Sequence, residues 1–173
     1  MRQKIKLFKK YIDTEIGRMI AIFDNEKLYL LEFADKNDLE KEILDLKKEF
    51  DSDIEENNTV IYEKLNNEIK LYFKGKLEKF KTPFLIRGTE FQKLVLNELL
   101  KVPYGKTISY KQLAIRIGNH KSSRAVANAI GKNLMLILIP CHRIINSNNS
   151  LGGYNCGIER KRKLLTLENQ KIK

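Results

Sequence analysis

The chain has 173 residues, 42% of them hydrophobic, two cysteines, two histidines and a formal net charge of +11. That length suits one large domain or two small ones with a real core. It holds no apolar run near the ~20 residues that span a bilayer. The stretch MRQKIKLFKKYID lacks the apolar run and small-residue cleavage site of a secretory leader, and two cysteines make no disulfide framework, so a reducing, cytoplasmic setting without a membrane is expected.

The charge is unevenly spread. Residues 1–80 carry 16 Lys/Arg against 18 Asp/Glu, and residues 81–173 carry 17 against 4. The whole basic excess therefore sits in the second half. A polyanion, with nucleic acid as first candidate, is the partner such a half would attract. A merely solvated basic surface is the alternative.

Three β-prone runs open the chain: KIKLFKKYI, RMIAIFD and KLYLLEF, with a hairpin turn at Asp24-Asn25-Glu26. DLEKEILDLKKEF has helical spacing of Leu39, Ile43, Leu46 and Phe50. The acidic DSDIEENN reads as a loop. TVIYEKLNNEIKLYFKGK is a second amphipathic helix ending near Gly75. Residues 1–80 thus form a small α/β domain with no Cys or His, hence no nucleophilic thiol and no zinc ligand set. Residues 81–87 are expected to be a linker to a second domain, 88–173.

That second domain reads as mainly helical. TEFQKLVLNELLKV starts at a Thr89 cap and puts Phe91, Val95 and Leu99 on one face. Two short helices then flank GNHKS, the pattern of a helix-turn-helix. At ~100° per residue, Lys121, Arg124, Ala125, Asn128 and Lys132 share one side of the second helix, and Val126 and Ile130 lie opposite. A polar, basic outer face with a small residue suits a helix that lies on DNA. An ordinary amphipathic surface helix has the same periodicity.

ILIPCHRII, residues 137–145, sets Cys141, His142 and Arg143 inside an apolar run. Buried polar groups without partners cost roughly 1–3 kcal/mol each, so these three need a use. A thiol with an ordinary pKa near ~8.5 is mostly protonated at neutral pH and needs a base or a positive field to attack. Neighbours on an extended chain point to opposite sides. His142 therefore serves Cys141 only through a turn or a bridging water, and it needs a carboxylate to orient it. The second half offers Glu90, Glu98, Glu159 and Glu168. Glu168 shares a stripe of the last helix with Ile158 and Leu165 and is the preferred partner.

IPCHRII resembles the active-site motif of the O6-alkylguanine-DNA alkyltransferases, the methylated-DNA–protein-cysteine methyltransferases. GTEFQKLVLNELLKVPYGKTISYKQLAIRIGN, SSRAVANAIGKN and LGGYNCGIERKRKLLTLE resemble further parts of that family in the same order. The resemblance runs from about Gly88 to Glu168. It implies a ribonuclease-H-like α/β N-terminal domain and a mainly α, winged-helix-like C-terminal domain with the helix-turn-helix. It implies a protein that binds duplex DNA from the minor groove and flips out O6-alkylguanine, with O4-alkylthymine a further candidate lesion; nothing in the sequence calls for an obligate partner, so a monomer is expected. The alkyl group moves irreversibly to Cys141, with no cofactor and no metal. By the same resemblance His142 is the base acting through water, Glu168 the carboxylate behind it, and Tyr110 a donor to the departing guanine. Asn133 supports the active-site turn, and Arg124 fills the gap in the duplex. Lys121, Ala125, Asn128, Lys132 and Arg143 join Arg124 on the DNA face, and Gly152, Tyr154 and Asn155 line the base pocket.

The chain departs from the family at three points. Leu134 follows Asn133 where proline is usual, which loosens the turn; His120 stands where proline is common; Cys156 lies in the pocket segment as a bystander. The rival readings are a helix-turn-helix DNA-binding protein without alkyl transfer, a zinc site of His120, Cys141, His142 and Cys156, and a cysteine hydrolase.

Overall fold

The computed structural model describes residues 5–169. The chain divides into two compact units, one up to Leu85 and one from Ile86.

In the first unit β1 (Leu7–Thr14), β2 (Gly17–Phe23) and β3 (Leu28–Phe33) form an antiparallel meander. The second turn falls at the expected Asp24, whose carboxylate accepts the amides of Glu26 and Lys27 at 2.7 and 2.8 Å, the local bond that makes Asp a turn former. Met19 to Phe23 and all of β3 are buried. Such unbroken apolar strands need cover on both faces. On one face Leu7, Ile20, Ile22 and Leu30 pack with Leu39 and Leu46 of α1 (Leu39–Phe50). On the other, Phe23 stacks on Tyr62 of α2 (Val60–Phe73), 5.7 Å between ring centres. The helix α2 starts at a Thr59 cap and stops before Gly75, which takes φ 65°.

Two expectations change here. The acidic stretch 51–58 is not all loop: Ile54–Glu56 is a strand, β4, parallel to β1. The sheet order is β3-β2-β1-β4. Lys6 and Glu55 form an ion pair across this edge at 2.9 Å. Residues 81–87 are not a free linker throughout. Leu28 exchanges backbone bonds with this segment (Leu28 N–H to Pro83 O, Leu85 N–H to Leu28 O, both 2.9 Å). Buried Glu68 accepts the amides of Lys81 and Thr82 and the Thr82 hydroxyl. The segment to Leu85 therefore belongs to the first unit.

The second unit is built on α3 (Glu90–Leu99), α4 (Tyr110–Arg116), α5 (Ser123–Ile130) and α6 (Ile158–Asn169). Thr89 with Gln92 and Ser109 with Gln112 form reciprocal capping boxes at the starts of α3 and α4. Each satisfies two amides that a helix start leaves bare. Val95 and Leu99 are buried as expected. A short parallel pair joins β5 (Ile108–Ser109) to β6 (Ile144–Ile145). This pairing positions the site, because β5 runs directly into Tyr110 and β6 directly follows Cys141–Arg143.

Candidate active site

Residues 133–145 fold into a tight, buried path. The Asn133 side chain spans its mouth, donating to Ile139 O at 3.0 Å and accepting from Met135 N–H at 2.9 Å. Ile139 N–H returns to Met135 O at 2.9 Å. The turn that proline would have stiffened is thus held by the Asn133 side chain with Leu134 in place. Ile137 takes φ 71° while buried. A β-branched residue is strained there, at a cost on the order of 1–3 kcal/mol that only a firm surround can hold.

Pro140 then leads into one turn of 3-10 helix, Cys141–Arg143. The backbone does turn, as His142 required, and all three side chains are buried. The Nε2 atom of His142 lies 2.7 Å from Glu168 Oε1. Arg143 grips the same carboxylate with two bonds of 2.9 Å, Nε to Oε2 and Nη2 to Oε1, and gives Nη1 to Val102 O at 2.6 Å. Gly105 N–H donates to Oε2 at 3.2 Å.

Burial alone would raise the Glu168 pKa, but its bonds to His142 and Arg143 bring it down to about 2. Burial also pushes His142 below its ordinary value, and the charges of Arg143 and Lys161 add to it against the upward pull of Glu168. His142 is then neutral, and Arg143 keeps Glu168 ionised. An ionised carboxylate only accepts. The proton of the imidazole therefore sits on Nε2, and Nδ1 carries a lone pair. That atom is buried and makes no hydrogen bond among the described residues. The arrangement presents a bare basic nitrogen one residue from a buried thiol.

Tyr110, half-buried, faces the same place: burial first, then the charge of Cys141, raises its pKa. It keeps its proton and can donate.

Arg143 corrects an expectation. It is not on the DNA face; its guanidinium is turned inward and spent on Glu168 and Val102. The stripe of α6 also differs. Lys161, Leu164 and Glu168 are buried, whereas Ile158 is 37% exposed. Sequence reasoning missed Lys161. Its ammonium is fully buried and donates to the carbonyls of Ile144 (2.5 Å), Leu151 and Gly153 (3.2 Å). Burial lowers its pKa to about 8, against a rise from Cys141. The signal was its spacing, seven residues before Glu168.

The lysine pins the segment carrying Gly152, Tyr154 and Asn155. Gly152 takes φ 69°, and a Cβ there would lie 3.1 Å from the Asn146 side chain, so glycine fits doubly. On α5, Arg124, Ala125 and Asn128 are exposed, as are Lys121 and Lys132 beside it, while Val126 and Ile130 are buried. The two faces fall as the periodicity predicted. The alternative zinc set does not assemble: among the described residues no three His, Cys, Asp or Glu side chains are grouped to hold an ion.

A family model described as the 6-O-methylguanine DNA methyltransferase DNA-binding domain matches residues 90–170. The methylated-DNA–protein-cysteine methyltransferase of Methanosarcina acetivorans is 42% identical over 111 residues, 64% of this chain and 71% of that protein. The methylated-DNA–protein-cysteine methyltransferase of Haemophilus influenzae is 33% identical over 163 residues, covering 94% of this chain and 86% of its own. The chain belongs to the methylated-DNA–protein-cysteine methyltransferase family. The family fold extends over both units: the solved structure of Mycobacterium tuberculosis OGT in complex with DNA matches with a TM-score of 0.82 at 31% identity, over 96% of this chain and 94% of that one.

Proposed function

We propose that this protein repairs duplex DNA by moving the alkyl group of O6-alkylguanine onto Cys141, once per molecule. The observation that carries the reading is the buried Cys141–His142–Glu168 array with its bare Nδ1. In the reaction His142 Nδ1 takes the Cys141 proton through a water. The thiolate attacks the O6-alkyl carbon, an S–C bond forms and the C–O bond breaks. The electron pair leaves on the guanine, which Tyr110 steadies by a hydrogen bond. The imidazolium formed at His142 is stabilised by Glu168. A thioether at Cys141 has no ready leaving path, which makes the transfer stoichiometric.

The exposed face of Lys121, Arg124, Ala125, Asn128 and Lys132 lies on the DNA in this reading, entering from the minor groove, and Arg124 fills the gap left by the flipped base. Flipping costs a few kcal/mol. Gly152, Tyr154 and Asn155 border the base, and Asn133 holds the active-site turn. The sheet order β3-β2-β1-β4, with β4 parallel to β1, supports a ribonuclease-H-like first domain. Helices α3, α4 and α5 with the β5–β6 pair support a winged-helix-like second one. We also infer a monomer acting in the cytoplasm, where a reactive thiol stays reduced.

Mixing the chain with duplex DNA bearing O6-methylguanine, digesting it and weighing the Cys141 peptide tests this. A gain of one methyl group is expected. An unchanged peptide with the lesion duplex still bound leaves the rival, a helix-turn-helix binder without transfer.

A further inference from the structure

We propose that Asn155 is a positioning residue that ties the base-pocket segment to the end of α5, so that seating α5 on a duplex also sets the pocket. This rests on the DNA-repair reading above.

The Nδ2 of Asn155 donates to Gly131 O at 2.6 Å, across 24 residues of chain. Gly131 is the cap of α5, and its own N–H still bonds Ala127 O at 3.0 Å. Its carbonyl is one that a helix end leaves without a partner inside the helix. The fit is close: a Cβ on Gly131 would lie 3.4 Å from Asn155 Nδ2 and 3.4 Å from Asn128 O. The direction of the Asn155 side chain is set by its neighbours. Cys156 beside it is buried, and Gly157 N–H closes a turn on Tyr154 O at 3.0 Å.

The other end of the segment is held by a different helix, through Lys161 of α6 on the carbonyls of Leu151 and Gly153. Tyr154 sits between the two fastenings. One is made by the fully buried Lys161. The other, at Asn155, is exposed, and an exposed amide-to-carbonyl bond adds little to stability because water replaces it readily. What it fixes is the position of the pocket segment relative to α5, and reaction rates are steep in position. With a duplex bound, α5 is held by phosphates and the segment follows it. With a free base, nothing anchors α5, and the tie matters less.

The test compares the parent chain with Asn155→Ala in single-turnover transfer from a methylated duplex and from free O6-benzylguanine, alongside thermal melting. The expected loss is about tenfold on the duplex and about two- to threefold on the free base, with the melting temperature unmoved. Equal losses on both substrates, or none on the duplex, overturn the proposal while the parent's own transfer keeps the repair reading standing. A parent chain that transfers no methyl sinks the repair reading, and this proposal with it.

Discussion

Each unit of this protein buries a cluster of charges, and the two differ in what they leave open. In the first, Lys36 bridges Glu32 and Glu42 at 2.7 and 2.5 Å. In the second, Glu168 bridges His142 and Arg143. Lys36 spends its ammonium on two carboxylates, and burial, which alone would lower its pKa, is outweighed by them. Glu168 is equally committed, but one of its partners is a ring with a second nitrogen. In the proposed reaction the bare Nδ1, one residue from Cys141, makes this ion cluster a proton acceptor. Neither buried charge nor an unspent atom is by itself a sign of function, since Glu42 Oε2 in the first cluster is also buried without a hydrogen bond among the described residues; an unspent base one residue from a thiol is the difference.

Removing one carboxylate from each cluster separates the two most strongly. Glu168→Gln leaves Arg143 buried with a weaker partner and removes the charge that orients His142. It should lose about 3–5 kcal/mol of stability and at least ~100-fold in transfer rate, in line with general-base contributions. Glu32→Gln should destabilise the first unit by about 1–3 kcal/mol and leave the transfer rate of the folded protein unchanged. Denaturant unfolding and single-turnover kinetics on both variants read this. A similar rate loss in both variants would dissolve the distinction.

Arg124→Ala sharpens the contrast within the second unit. It should slow repair of duplex DNA roughly tenfold or more, and reaction with free O6-benzylguanine much less, because a free base needs no flipping. Equal losses on the two substrates place Arg124 in the chemistry instead.

The smallest effect is on pH. His142 lies below its ordinary 6.5, so the transfer rate should hold nearly level as pH falls from about 7.5 to 6.5. Stability should decline on the acid side, since the unfolded chain takes up the His142 proton that the folded one resists. A second decline should follow as pH falls from 4.5 to about 2, where Glu168 is protonated in the unfolded chain before the folded one. A rate that halves at pH 6.5 would show His142 charging in the folded protein.

The legibility of the two units follows from the range of their interactions. Strands β1 to β3, helices α1 to α3 and the two faces of α5 were readable because local periodicity, caps and turn residues set them. The strand Ile54–Glu56 was not, since three residues carry no period and its partner is β1, more than forty residues earlier. The pair His142–Glu168 was reachable by asking which carboxylate a basic half could spare. Arg143 was misplaced because a single turn of 3-10 helix decides whether it faces solvent or Glu168. Lys161 was passed over because a lysine in KRKLL looks solvated; only the three carbonyls converging on it, from β6 and the pocket segment, make its burial tolerable.

The central claim is that one thiol, Cys141, receives the alkyl group and keeps it. Titrating the protein with excess duplex bearing radiolabelled O6-methylguanine, and locating the label by peptide, tests it most directly. The account predicts a plateau at one methyl per chain, all of it on Cys141. Label that keeps accumulating in released product, or that settles on Cys156, would contradict it.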